Sequence, residues 1–299
     1  MLMEILYAIS NQAQGIKGLP DMPDLNLPTD TKQQIESLIA EAYTDYQEFI
    51  ETPLPQYIPH IKSQHGLELA STEYINDRHN LYISDTLLKA PHRTEILFHE
   101  FTHIYDKEHL DKAYAYRKGT NKANRYTHVH LEIHAEQVRF LYMLGCKTIS
   151  DIPQNVTHKS IIYDLDGKHT TFYDYLYTVK NRIIKEYVTK IQASKRKIIY
   201  ASTIGNMIDK IAYYIGALTV YQKYCDYKID ELMDLSIISD FWNINIGTII
   251  EFYCSHDIHR LTMQTIPKIE IANMGDILMY ELPKKAREKY IFKDDVKGK

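Results

Sequence analysis

Apolar positions along this chain change their period twice, and the changes mark out its elements. From Thr29 to about Ile50, Ile35, Leu38, Ile39, Tyr43 and Tyr46 fall on one side of a helix, with Thr29 or Asp30 able to cap it. Ahead of it, residues 1–12 form a short apolar element of open type. Residues 13–29, with Gly15, Gly18, Pro20, Pro23 and Pro28, read as a loop or arm. Pro53, Pro55 and Pro59 break the chain after the helix. Between 67 and 88 the helical period is lost: LELAS and NLYISDTLL, separated by Asn76-Asp77-Arg78, predict an antiparallel pair of strands. Helical spacing returns after Pro91, where Ile96, Leu97, Phe101, Ile104 and Tyr105 make an apolar stripe. Residues 107–127, charged and Tyr-rich with Gly119, read as a connecting loop, and a second helix runs from about His128 to Leu144 and stops at Gly145.

After a mixed stretch at 146–170, with a turn signal at Asp166-Gly167, the pattern stays helical. Phe172, Leu176, Val179, Ile183, Tyr187 and Ile191 recur at that spacing, as do Ile204, Met207, Ile208, Ile211, Ile215 and Leu218. Further helices are expected over 229–241, 245–255 and 272–281, followed by a mixed-charge tail from Pro283 that is mobile at its end. The expectation is an α+β protein, predominantly helical, with a small antiparallel β-sheet. Residues 1–150 would form the core, and residues 151–299 a helical lobe packed on it.

Composition narrows the classes without choosing among them. With 299 residues, 44% hydrophobic and 25% charged, the chain is globular. A net charge of −4 exerts no general pull on nucleic acid or anionic lipid. No apolar run approaches the ~18–20 residues of a membrane span. The start, MLMEILYAISNQ, lacks the basic region and length of a secretory leader, so a cytoplasmic location is expected. Cys146, Cys225 and Cys254 are odd in number and show no paired spacing, as free thiols of a reducing compartment do. Twenty-five tyrosines supply bulk with a polar tip.

The helix after Pro91 carries His99-Glu100-Phe101-Thr102-His103. Residues four apart lie above one another on a helix, so His99 and His103 share a face and can hold one Zn²⁺. Glu100, beside that face, can take a proton from a water at the metal. A catalytic zinc needs a third protein ligand and one open position. Several residues compete for that place. Glu132 lies in the second helix within Glu132-Ile133-His134-Ala135-Glu136, where Glu132 and Glu136 share a face, so one can ligate while the other orients an imidazole. His109 completes an HExxHxxGxxH spacing with Asp106 at the glycine position, provided the chain turns there. Asp106 itself could ligate or orient an imidazole, and His128, His130 and His134 form a further cluster.

HEFTH followed about thirty residues later by E-x-x-A-E resembles the gluzincin zinc peptidases, and within them is most similar to the ImmA/IrrE type. The likeness covers roughly residues 65–145, including the NLYISDTL strand and the FLYML that follows the second motif. It implies a zincin-like catalytic core, with His99, His103 and Glu132 as ligands, Glu100 as base and Glu136 beside the ligands. It also implies a protein or peptide as substrate.

Other features have plainer readings. The basic run at 180–197 suits the solvated face and C-terminal end of a helix better than a nucleic-acid contact. His256 and His259 flank a helix end and could reach the cleft, and Tyr105, Tyr126 or Tyr142 could donate to an oxyanion. The rival expectations are an inactive zinc-site protein acting as a binding or structural module, and a metzincin-like peptidase using His109.

Overall fold

The computed structural model describes residues 27–62, 69–76, 78–114, 121–164, 166–193, 198–256 and 268–293. The expected element at 1–12, most of the 13–29 arm and the end of the C-terminal tail lie outside the described residues.

Helix α1, Thr29–Ile50, follows its apolar period and buries Ile35, Leu38, Ile39, Ala42, Tyr46, Phe49 and Ile50. Neither expected cap operates. Pro28 occupies the N-cap, and its carbonyl accepts from Lys32 N at 3.1 Å. The three prolines after it do not exclude a strand: β1 spans Tyr57–Lys62 and contains Pro59. The three-stranded sheet has the order β1-β3-β2, with β2 at Ala70–Ile75 and β3 at Arg78–Ser84. As an edge strand, β1 tolerates a residue without an N–H. An antiparallel pair is present as β2 and β3, but β2, at Ala70–Ile75, overlaps only the end of LELAS, and β3 begins at Arg78, inside the expected turn; β1 runs parallel to β3, so the sheet is mixed rather than antiparallel. The last part of NLYISDTLL is not strand; Asp85–Lys89 form a 3₁₀ turn capped by the Ser84 side chain.

Helix α2, Arg93–Tyr114, carries the HExxH sequence, and α3, Asn121–Met143, carries the second motif. The loop expected over 107–127 is therefore mostly helix. Lys107, Glu108, Asp111 and Lys112 are compatible with helix, and α2 simply runs on through them. Its unbroken course also removes the turn at Asp106 that an HExxHxxGxxH site requires. The His109 side chain lies outside the described residues. At the far end of α3, Gly145 is left-handed (φ 83°). Gly145 N donates to Tyr142 O at 2.9 Å, and Cys146 N donates to Leu141 O at 3.2 Å. This is the paired closure that a C-terminal glycine permits.

The back of α2 rests on an aromatic belt. Phe98 stacks on Tyr142 with ring centres 3.8 Å apart, Tyr46 meets Phe98 edge-on at 5.2 Å, and Tyr57 meets Phe101 at 5.7 Å. The described residues of 151–293 are mostly helical. The short pair β4 (Ile161–Tyr163) and β5 (His169–Thr171) contains the expected turn at Asp166-Gly167 and leads into α4, Phe172–Ile184, capped by Thr171. The helical course continues through a π turn to Gln192. Strand β6 (Ile198–Tyr200) precedes α5, Ala201–Tyr224, which is buried along most of its length. Helix α5 lies against α3 at Gly216. A Cβ there would sit 2.6 Å from the Ile133 carbonyl and 2.8 Å from Glu136 Cβ, so only a glycine allows this approach.

The helix expected at 229–241 is two, α6 (Ile229–Met233) and α7 (Ser236–Trp242), parted where the Asp234 side chain accepts from Ser236 N. Helix α8, Ile246–Ser255, is capped by Asn245. Helix α9, Lys268–Asp276, passes through a π turn into α10, Leu282–Lys289. The expected tail is thus partly ordered structure, closing with β7 (Ile291–Lys293) beside β6. No helix of the described residues is long and apolar enough to cross a membrane.

Candidate metal centre

Three ligating atoms converge where α2 faces α3. His99 Nε2 and His103 Nε2 are 3.1 Å apart, and each is 3.3 Å from Glu132 Oε2. Around a tetrahedral Zn²⁺ with bonds of about 2.0–2.1 Å, neighbouring ligand atoms stand about 3.3 Å apart, so the triangle has the dimensions of one face of that tetrahedron. Among the described residues these three form the one group with metal-ligand proximity. All three residues are buried, and Glu132 Oε2 has no hydrogen-bond partner.

The surroundings explain why the lone pairs point inward. His99 Nδ1 lies 3.4 Å from Glu136 Oε2, and a carboxylate there favours the tautomer that leaves Nε2 bare. Glu136 is fixed in turn by Arg139, whose Nε and Nη2 donate to its two oxygens at 2.9 and 2.6 Å, with the Tyr175 hydroxyl alongside. Burial alone would raise Glu136, and the Arg139 charge beside it pulls it below the usual carboxylate range. Burial alone would depress His99, but Glu132 and Glu136 lift it to about 10. Glu132 is held well below its ordinary value, against its burial, by His103, His99 and His128. The cluster favours positive charge at its centre and could hold a metal ion. Glu100 is buried beside the triangle, and its charge also favours the protonated His99.

Of the remaining sequence candidates, Asp106 and His134 meet each other instead, at 2.8 and 3.0 Å through His134 Nδ1. Asp106 thus orients an imidazole, but not one of the triangle. His130 Nδ1 pairs with the Tyr253 hydroxyl at 3.0 Å. His128 touches Glu132 from outside, Nδ1 to Oε1 at 3.4 Å. Tyr142 belongs to the aromatic belt and Tyr105 engages Thr52, while the Tyr126 side chain lies outside the described residues. His256 Nδ1 lies 2.6 Å from the Phe252 carbonyl at the end of α8, and His259 lies outside the described residues. In the basic run, Lys180 donates to the Glu231 carbonyl and Arg182 pairs with Glu186 at 3.2 Å; Lys195 to Lys197 lie outside the described residues.

Two residues of the site carry no sequence signal. Tyr213 and Asp209, one turn apart on α5, come to the site through the close approach of α5 to α3 at Gly216, Tyr213 against His99 and Asp209 against His128. The Tyr213 ring stands edge-on to His99 with centres 5.5 Å apart. Burial and the charges of Glu132, Asp209 and Glu100 hold its hydroxyl far above the ordinary tyrosine value, so it keeps its proton. Asp209 Oδ1 pairs with His128 Nε2 at 2.8 Å. No family model, curated protein or solved structure matches this chain.

Proposed function

We propose that this chain is a zinc-dependent peptidase, with His99, His103 and Glu132 holding the ion and Glu100 acting as general base. The observation that carries this reading is the three-atom triangle, sized for one face of a tetrahedral ion, with Glu100 in the same helical turn as His99. A structural zinc closes its shell with a fourth side chain, whereas a catalytic one keeps a position open. Among the described residues three ligating atoms converge and no fourth joins them.

When bound, Zn²⁺ would supply Lewis acidity, polarising a scissile carbonyl and making a nearby water acidic at neutral pH. Glu100 would accept the proton from the attacking water on its carboxylate and return it to the departing amine. Tyr213, protonated and edge-on to His99, would donate its hydroxyl hydrogen to the oxygen on which negative charge develops. Glu136, held by Arg139, would keep the His99 ring in its ligating orientation. A peptide is the fitting substrate because β2 packs near α2 and, among the described residues, pairs only with β3. Its outer edge presents the backbone groups that an extended chain pairs with. The three unpaired thiols fit a reducing compartment such as the cytoplasm.

The test compares wild type with Glu100→Gln on a peptide library, with metal content measured in both. Wild type should carry about one zinc and cleave. The variant should keep its zinc and lose a factor of about 10²–10⁴ in rate, the range for a general base. Cleavage by the variant at the wild-type rate would refute the assignment.

A further inference from the structure

We propose that Asp209 and His128 form a positioning pair that fixes which oxygen of Glu132 faces the metal. The inference rests on the metal-site reading above and assigns to that site two residues outside its ligand set. A glutamate ligand has two equivalent oxygens. Left alone it can present one, present both, or rotate between them. Here the two are not equivalent. Oε2 points at His99 and His103, 3.3 Å from each, while Oε1 lies 3.4 Å from His128 Nδ1. His128 stands one turn before Glu132 on α3, so its ring lies against the carboxylate by helical spacing alone. Spacing does not orient the ring, however, and a histidine facing a carboxylate can turn over or swing to solvent. Its other nitrogen settles the matter: His128 Nε2 is 2.8 Å from Asp209 Oδ1, on a helix eighty-one residues further along the chain. His128 is thus tied to Asp209 through Nε2, and its Nδ1 is held at ion-pair distance from Oε1 of Glu132. Oε1 faces that imidazole, and Oε2 is the oxygen left facing His99 and His103.

The geometry also gives the helical C-terminal half a part in the site. Asp209 reaches His128 because α5 lies close on α3, which Gly216 permits. Both side chains of the pair are partly exposed, 20% for His128 and 24% for Asp209, so they stand at the rim of the site rather than in the core. Substituting them leaves no large cavity. Their role is to restrict one ligand, and its loss should show in the metal and not in the fold.

The test uses the full chain and Co²⁺, whose visible absorption reports coordination number and geometry. Wild type, Asp209→Ala, His128→Ala, the double variant and His99→Ala are stripped of metal and titrated with Co²⁺ against a competing chelator. Thermal melts of the metal-free proteins are recorded alongside. Wild type should bind one ion, and His99→Ala should bind none at that site. Asp209→Ala and His128→Ala should each bind about 10–100-fold more weakly, the usual loss when a residue that orients a ligand is removed. Both should show an altered visible band, as Glu132 turns and offers a second oxygen, and metal-free melts like wild type. Because the two act as one unit, the double variant should lose no more than either single. Wild-type affinity and spectrum in Asp209→Ala would overturn the proposal, and so would additive losses in the double variant. Failure of wild type to bind, or undiminished binding by His99→Ala, would instead strike the metal-site reading itself. If one single variant melts low, the other still reports affinity and spectrum on an intact fold.

Discussion

Helices α2 and α3 carry two buried clusters built from the same residue types. In the first, His99, His103 and Glu132 direct three ligating atoms at one another across 3.1–3.3 Å. In the second, Asp106 grips His134 Nδ1 at 2.8 and 3.0 Å, and His130 Nδ1 meets the Tyr253 hydroxyl at 3.0 Å. In the second, each of these contacts sets a donor against an acceptor, and the result ties α2, α3 and α8 together. In the first, the three atoms face one another in a triangle that could hold a metal ion, or share a proton in its place. Histidine and carboxylate content does not distinguish the two. The direction of the lone pairs does, and Glu136 sets that direction by occupying the far nitrogen of His99.

The largest expected effect sharpens that contrast. A ligand that binds only the folded state stabilises it by about 4 kcal/mol at a thousandfold excess over its dissociation constant. Zinc should therefore raise the melting temperature of wild type, and a chelator should reverse the gain. His99→Ala and Glu132→Ala should show no such gain, whereas His134→Ala, though destabilised, should keep it. A zinc-dependent rise that persists in Glu132→Ala would erase the difference between the clusters.

Next in size is Tyr213→Phe. Removing one donor from an oxyanion site costs a factor of about 10²–10³ in kcat. The variant should retain its metal, since Tyr213 is not among the ligating atoms. Steady-state kinetics with metal analysis would decide, and an unchanged kcat would remove Tyr213 from the mechanism. In the other cluster, Asp106→Ala deprives buried His134 of its partner and should cost about 1–3 kcal/mol of stability, read by denaturant unfolding. Zinc stoichiometry should not change. If the ion were lost as well, the two clusters would have to be treated as one.

How far the sequence reached is set by distance along the chain. His99, Glu100 and His103 announce themselves because helical spacing alone places them on or beside one face. Glu132 and Glu136 do so through the same four-residue interval one helix later. Those two intervals single out the three residues whose polar atoms converge in a group that could hold a metal ion. Tyr213 and Asp209 could not be found that way, since they reach the site only through the docking of α5, which one glycine against the Ile133 carbonyl permits. Pro53, Pro55 and Pro59 read as ending the helix, which they do, but that Pro59 also fits a strand becomes known only with the sheet order, which puts β1 at an edge. The 107–127 stretch, charged and Tyr-rich with Gly119, reads as loop, yet charged residues are compatible with helix, and α2 continues to Tyr114.

The smallest expected effect lies behind the metal face, at the contact between α1 and α2. The Tyr46 hydroxyl donates to Thr102 Oγ1 at 3.2 Å, and Thr102 Oγ1 donates to the Phe98 carbonyl at 2.8 Å; both side chains are fully buried. Tyr46→Phe removes the first bond but leaves Thr102 with its own donor satisfied, so only an acceptor goes unmatched. The expected loss is about 1 kcal/mol, near the net worth of an ordinary hydrogen bond. Thr102→Val is the harsher change, because it strands the Tyr46 hydroxyl, a donor with no water to turn to, and should cost more. Unfolding curves for the two variants would check the order. Both should bind zinc as wild type does, since His99 and His103 are fixed from the α3 side by Glu132 and Glu136 rather than from the aromatic belt. Should Tyr46→Phe weaken zinc binding appreciably, the belt would be setting the ligand geometry, and the separation of a packing back from a chemical front on α2 would fail.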